Sequence, residues 1–146
     1  MSQSKSKSNG KKKVKIIEVP YKPREYQQQV HDNLKRFSVL VCHRRFGKSV
    51  LSINELIKTA AGKPRALCAF IAPTYRQGKS IAWEYLKFYT QPLMKWGGSR
   101  NESELRIDLF NGSRIQIFGA DNPDSIRGMG FDGVVLDEYA IMSPRV

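Results

Sequence analysis

The segment from Cys42 to Ser49 constrains the fold more than any other part of the chain. It lies between a short apolar, β-branched run (residues 37–42) and a segment with helical spacing (residues 49–59). A glycine-containing turn between a strand and a helix gathers backbone N–H groups at the positive end of the helix dipole, where phosphate binds well. The segment therefore predicts an α/β domain with an anion site at the start of a helix.

Residue types within this loop predict specific contacts with a nucleoside triphosphate. Gly47 would let the backbone approach the phosphates, Lys48 would reach the β- and γ-phosphate oxygens, and Ser49 would bind magnesium. The usual motif begins with glycine, whereas this chain has Cys42 at that position. The tight turn that the first glycine normally provides is therefore not assured.

A second Gly-Lys-Ser, at residues 78–80, competes for the same interpretation, because it also follows an apolar run and precedes a helical pattern. Its first motif position is Pro73, which lacks an N–H group and fixes φ where a phosphate-binding loop needs freedom. The earlier loop also contains Arg44 and Arg45, which can neutralise phosphate charge. We therefore assign phosphate binding to the loop that contains Lys48.

Two adjacent acids follow the apolar run at residues 133–136. In open α/β sheets ligands bind at the carboxyl ends of strands, which is where Asp137 is expected to lie. Asp137 would hold magnesium through its water shell, and Glu138 would polarise the attacking water. Adjacent acids also simply end strands, but their combination with the Lys48 loop favours ATP hydrolysis.

Periodicity along the rest of the chain predicts an α/β fold: a mostly parallel sheet with helices on both faces and an inserted β-hairpin. The hairpin turns at Asn111-Gly112, a strong turn signal. In the later helix, core contacts are expected from Ile81, Tyr85, Phe88, Leu93 and Trp96. The predicted elements are a weak strand at 14–19, helices at 25–34, 49–59 and 80–96, buried strands at 37–42, 66–72 and 134–136, and the hairpin at 105–117.

Charge and length predict one basic domain with a tail. The net charge is +12, and residues 1–15 contain six lysines and no acid. We expect a disordered basic tail at 1–15, serving either solubility or phosphate contact, and a partial ATPase domain at 16–146. No apolar run is long enough for a membrane span or a signal peptide, so the cytoplasm is the expected location. Cys42 and Cys68 lack metal-site spacing, so reduced thiols and no zinc are expected.

Five blocks in order make the sequence resemble the ATPase domain of the large terminase subunit of tailed bacteriophages, a P-loop NTPase of the RecA-like type. That family's phosphate loop carries an arginine and lacks the first glycine, which agrees with Cys42. The resemblance covers about residues 20–146. The blocks are Pro23-Arg24-Glu25-Tyr26-Gln27, residues 44–49, residues 72–77, residues 124–128 and Leu136-Asp137-Glu138-Tyr139-Ala140.

The resemblance implies roles for individual residues. Asp137 would coordinate magnesium together with Ser49, Glu138 would be the catalytic acid, and Arg44 would act in cis on the γ-phosphate. Arg127 would reach a neighbouring subunit, or else contact DNA phosphate or form an intramolecular salt bridge. His31 is expected on a helix surface. The expected nucleotide-binding residues are Tyr26, Gln27, Cys42, His43, Arg44, Arg45, Phe46, Gly47, Lys48 and Ser49.

The family resemblance also implies a motor that drives double-stranded DNA into an empty capsid by ATP hydrolysis. Its partners would be the portal protein, the small terminase subunit and further copies in a ring on the portal, with a monomer in isolation. The sequence ends before the family's coupling segment and nuclease domain, so ATP binding and weak hydrolysis are expected without nuclease activity. Two alternatives are a superfamily 2 helicase-like ATPase fragment and a DNA-binding fragment that does not hydrolyse ATP.

Overall fold

The structure, a computed structural model, describes residues 16–144, so the predicted basic tail lies outside the described residues. Its framework is a five-stranded sheet in the order β2-β3-β4-β1-β5. The central strand β1 runs parallel to β4 and β5, whereas β2, β3 and β4 pair antiparallel. The strands are β1 (Leu67–Ala72), β2 (Gly98–Asn101), β3 (Arg106–Leu109), β4 (Arg114–Gly119) and β5 (Gly133–Leu136).

Helix α2 (Lys48–Gly62) leads into β1, and a helical run over residues 75–94 connects β1 to β2, in the α/β alternation that the sequence predicts. A π-helical turn, Lys79–Trp83, joins α3 to α4, so residues 75–94 form one continuous helical run. The predicted hairpin is confirmed, with β3 and β4 on either side of Asn111 and Gly112. The short edge strand β2 is absent from our prediction because its Gly-Ser-Arg-Asn sequence has no apolar alternation. The helices are α1 (Glu25–Asn33), α2 (Lys48–Gly62), α3 (Tyr75–Gly78) and α4 (Glu84–Met94).

The core forms on both faces of β1 because alternate residues of a strand point to opposite faces. Cys68 and Phe70 join the larger cluster, which α2 and α4 cover. Ala69 and Ile71 join a smaller cluster on the other face, which the segments after β4 and β5 cover. Burial on both faces explains why β1 reads as an uninterrupted apolar run.

The strand predicted at residues 37–42 is wrong. This stretch is not part of the sheet, and Val39 and Val41 are 90% and 95% exposed. A strand needs hydrogen bonds from a neighbour, and no described strand lies beside residues 37–42. The apolar composition predicted the tendency of the segment to extend, but composition alone does not supply a partner.

Three smaller predictions also differ from the structure. Residues 16–19 do not form a strand, although Ile17 and Val19 pack against the larger core cluster. The third strand, β5, is only half buried because it pairs with β1 alone among the described strands. Of the core contacts predicted for the later helix, Leu93 is buried and Ile81 is half-buried, whereas Tyr85, Phe88 and Trp96 are exposed. The helical run instead buries Ala82, Trp83, Leu86 and Thr90.

Candidate nucleotide site

The loop before α2 has the backbone geometry that a phosphate-binding loop requires. Gly47 has φ +86°, which favours glycine, and Lys48 is the first residue of the helix. Arg45, two residues earlier, also has a positive φ, of 66°. The chain therefore turns sharply into a 15-residue helix, whose first N–H groups lack partners within the helix.

Gln27 connects α1 to this loop. Its side chain is buried, 4% exposed, and its Nε2 donates to the backbone oxygens of Gly47 at 3.2 Å and Phe46 at 3.5 Å. Its Oε1 accepts the N–H of Arg24 at 2.9 Å. Gln27 is predicted to contact adenine, but its amide is already bonded to protein backbone at both ends, so base contact requires an exchange of these bonds.

Lys48, Asp137 and Glu138 come together at the start of α2. Lys48 Nζ donates to Glu138 Oε1 at 2.7 Å. This hydrogen bond is the main cause that lowers the pKa of Glu138 and raises the pKa of Lys48. Both shifts favour the charged pair, so the two changes are consistent with each other. Glu138 has a left-handed backbone, with φ 52°, at the residue where the chain leaves β5.

Asp137 lies at the carboxyl edge of the sheet. Its N–H donates to the carbonyl of Ile71 at 2.9 Å, which extends the parallel pairing of β5 with β1 by one residue. Burial raises the pKa of Asp137, and the charge of Lys48 acts in the opposite direction. Lys48 and Asp137 therefore interact at the same edge, as the sequence predicts.

The remaining predicted nucleotide-binding residues surround the loop. Tyr26 packs against Phe46 with ring centroids 4.7 Å apart, and His43 meets Phe46 edge-on. Cys42 is half-buried and close enough to Lys48 to contribute to its raised pKa. Arg44 and Arg45 are exposed in the turn, and Ser49 is the second residue of α2.

Arg127 lies in a different segment, after the short helical turn that follows β4. Its guanidinium pairs with Asp124 at 3.2 Å, and both side chains are largely exposed. This pair matches the intramolecular alternative that the sequence left open. The role of Arg127 toward a neighbouring subunit stays a prediction.

The second Gly-Lys-Ser lies inside a helical run, where its glycine serves packing against the sheet. Gly78 has helical angles and is buried inside the helical run, with φ −55°. A Cβ atom at this residue would lie 2.6 Å from Ile117 Cγ2, so glycine allows the helix to pack against β4. Lys79 and Ser80 are exposed within that helical run rather than at the start of a helix. The geometry supports the choice of the earlier loop.

Sequence reasoning missed a buried group next to this site. His31 is expected on a helix surface, but its side chain is only 8% exposed, so that expectation is wrong. Its ring nitrogens contact Tyr21 and Glu55. One signal was available, because His31 follows Gln27 by four residues and must share a helix face with it.

Comparison of the sequence with known protein families identifies the family of this chain. The profile described as "Terminase large subunit, T4likevirus-type, N-terminal" matches residues 41–144. The chain belongs to this family. The large terminase subunit of Escherichia phage T5 is 26% identical over 113 residues, which cover 77% of this chain and 25% of that protein. The chain therefore spans about a quarter of the length of this relative.

Solved structures confirm the fold of this terminase chain. It is similar to the large terminase ATPase domain of Thermus phage P74-26, with TM-scores of 0.76 for a variant and 0.70 for another structure. Each is 24% identical and matches 86% of this chain and 57% of that chain. A large terminase of a thermophilic bacteriophage in complex with ADP matches 68% of this chain and 26% of that chain, at 19% identity and a TM-score of 0.51. The chain thus has the α/β fold of a large terminase ATPase domain.

The donor atoms at the site suit magnesium that arrives with a nucleotide. Asp137 and Ser49 offer oxygen ligands, and protein-bound Mg²⁺ usually takes one or two carboxylates together with phosphates and waters. Among residues 16–144, no group of three or more His, Cys, Asp or Glu side chains is placed to hold a metal ion. No helix in the same range is long and apolar enough to cross a bilayer.

Proposed function

We propose that this chain is the ATP-binding and ATP-hydrolysing part of a viral motor that moves double-stranded DNA into procapsids. The single observation that carries the proposal is the 2.7 Å contact between Lys48 and Glu138 beside Asp137. It brings together the three residues to which the proposal gives phosphate binding, magnesium binding and catalysis. Membership of the terminase family supports the same conclusion.

The chemistry follows from the charges in this cluster. Lys48 exchanges Glu138 for the β- and γ-phosphate oxygens when ATP binds. Glu138 then loses the hydrogen bond that lowers its pKa, so its carboxylate becomes a stronger base for the attacking water. Asp137 and Ser49 would hold Mg²⁺, and the ion would supply positive charge against the charge that develops on the phosphates. Arg44 stabilises the γ-phosphate from the turn before α2.

The nucleotide base is placed by the start of α1. The Tyr26 ring, which packs at a tilt against Phe46, offers an exposed apolar surface against which adenine packs. The phage structure solved with ADP supports nucleotide binding by this fold. The partners proposed from the family are double-stranded DNA, the portal protein, the small terminase subunit and further copies in a ring, in the host cytoplasm. In isolation the chain would be monomeric.

The proposal is tested by binding of a fluorescent ATP analogue with Mg²⁺ to the chain and to two lysine variants. We expect saturable binding by the wild type, and binding about tenfold or more weaker in Lys48→Ala, because a charge-assisted hydrogen bond to phosphate is lost. Lys79→Ala, in the other Gly-Lys-Ser, is the matched control and should bind like the wild type. Loss of binding in Lys79→Ala with full binding in Lys48→Ala would show that the nucleotide binds at the loop that contains Lys79, and would contradict the proposal.

A further inference from the structure

A hydrogen-bonded chain, the Tyr21–His31–Glu55 network, joins three parts of the molecule. Tyr21 Oη lies 2.9 Å from His31 Nε2, and His31 Nδ1 lies 2.5 Å from Glu55 Oε2. Tyr21 precedes α1, His31 is in the last turn of α1, and Glu55 is in the middle of α2. The network therefore fixes the end of α1 against α2.

Proton positions in the network follow from the chemistry of its ends. A carboxylate only accepts hydrogen bonds, so His31 Nδ1–H donates to Glu55. Burial raises the pKa of Tyr21 to about 12, so its hydroxyl keeps its proton at neutral pH. Tyr21 O–H can then donate to His31 Nε2, so both ring nitrogens have a partner. Edge-on packing of Tyr21 against Tyr89, with ring centroids 5.9 Å apart, holds the hydroxyl in place.

The opposite end of α1 contacts the phosphate loop. Gln27, one helical turn before His31, donates to the carbonyls of Phe46 and Gly47. Residues four apart in a helix lie on the same face. Helix α1 is thus held to the loop by Gln27 and to α2 by His31, and α2 is the helix that begins with Lys48. A rotation of α1 would move the Gln27 amide away from the loop.

We propose that His31 is a positioning residue for nucleotide binding: held between Tyr21 and Glu55, it fixes α1 so that Gln27 keeps Phe46 and Gly47 in the phosphate-binding conformation. This inference rests on the proposed function. His31 itself touches no nucleotide, and it acts through Gln27 on the loop. His31 lies outside the sequence motif of the phosphate loop, eleven positions before Cys42.

The first measurement needs no nucleotide. Hydrogen exchange followed by mass spectrometry reports on the backbone of residues 42–49 in the wild type, His31→Ala and Tyr21→Phe. We expect faster exchange of this loop in both variants, with the strands β1 and β4 still protected, which shows that the fold is kept. The matched control is Asp32→Ala, which removes the exposed hydrogen bond that Asp32 accepts from Gln28 on the same helix and should leave the loop unchanged. Unchanged exchange in a folded His31→Ala variant would overturn the proposal.

The second measurement separates positioning from a general loss of stability. Affinities for an ATP analogue and for inorganic triphosphate are compared in the wild type, His31→Ala, Gln27→Ala and the double variant. We expect His31→Ala to lower the affinity for both ligands by a similar factor, about tenfold. In a protein that already carries Gln27→Ala, the same substitution should lower the affinity little further. Additive losses would show that His31 does not act through Gln27. Failure of the wild type to bind either ligand would reject the proposed function, and the exchange result would still decide the role of His31.

Discussion

At the residue scale, the position of Asp137 suits the proposed cation binding but lowers the stability of the fold. Burial raises its pKa, which means that the folded protein holds the charged carboxylate less well than the unfolded chain does. The neighbouring charge of Lys48 only partly offsets this effect. A carboxylate at the carboxyl edge of β5 is therefore retained at a cost in stability, which agrees with the proposed role of Asp137 in cation binding.

Replacement of this carboxylate gives a pH-dependent test. The folded-state pKa of Asp137 is raised, so its contribution to stability is lost as pH rises through that pKa. We expect Asp137→Asn to be more stable than the wild type at pH 7, by on the order of 2–4 °C in midpoint. The difference should shrink toward pH 3, where the wild-type side chain is neutral in both states. Thermal unfolding at several pH values measures it, and a variant that is less stable at every pH would contradict the argument.

Gly47 offers a second test at this scale. Gly47 has a positive φ of 86°, and a Cβ atom at this position would lie 2.7 Å from Gln27 Nε2. We expect Gly47→Ala to lower the free energy of unfolding by about 1–2 kcal/mol, because a left-handed backbone disfavours alanine. Urea denaturation measures the change. The matched control is Gly62→Ala at the other end of α2, where no atom lies within 4 Å and alanine should be neutral or stabilising.

The positions of some site residues could be predicted from the sequence, whereas the contacts of others could not. Lys48, Asp137 and Glu138 could be placed together because strand ends and helix starts meet at one edge of an α/β sheet. The bonds of Gln27 and His31 could not be predicted in this way. They depend on the angle between α1 and α2, which arises from tertiary packing and leaves no periodic signal in the sequence.

At the element scale, periodicity predicted the helices and the hairpin but not the environment of every apolar run. Residues 37–42 and 67–72 have similar composition, yet only the second is a strand. The difference lies in neighbours: β1 has β4 on one side and β5 on the other. Helix α4 shows the same limit, because large apolar residues occur on its exposed side, at Tyr85 and Phe88, as well as at the buried Leu86 and Leu93.

The exposed apolar stretch at residues 37–41 predicts that the chain, monomeric when dilute, self-associates at high protein concentration. Unpaired, extended apolar segments add readily to other chains, and lysine on such a segment opposes this. We expect the double variant Val39→Lys with Val41→Lys to stay monomeric at concentrations where the wild type aggregates. Its thermal midpoint should change by less than about 2 °C, because neither side chain is buried. Light scattering and thermal unfolding measure the two effects. An equal tendency to aggregate would show that another surface is responsible.

At the scale of the whole molecule, positive charge is distributed unevenly. The net charge is +12, and the six lysines of residues 1–15, with no acid among them, supply half of it. The remaining charge lies on the domain that carries the proposed nucleotide site. If the tail contacts DNA phosphates, it acts as a separate electrostatic element whose contribution can be removed without any change to the ATP site.

Salt dependence tests this division. Each phosphate neutralised on duplex DNA adds about 0.9 to the slope of log affinity against log salt concentration. We expect replacement of all six tail lysines by glutamine to reduce that slope by up to about five, with ATP affinity unchanged. Fluorescence anisotropy with a duplex of random sequence measures the slope between low and physiological salt. A slope that is the same in both proteins would assign DNA contact to the domain and leave the tail a role in solubility. The lysines replaced are Lys5, Lys7, Lys11, Lys12, Lys13 and Lys15.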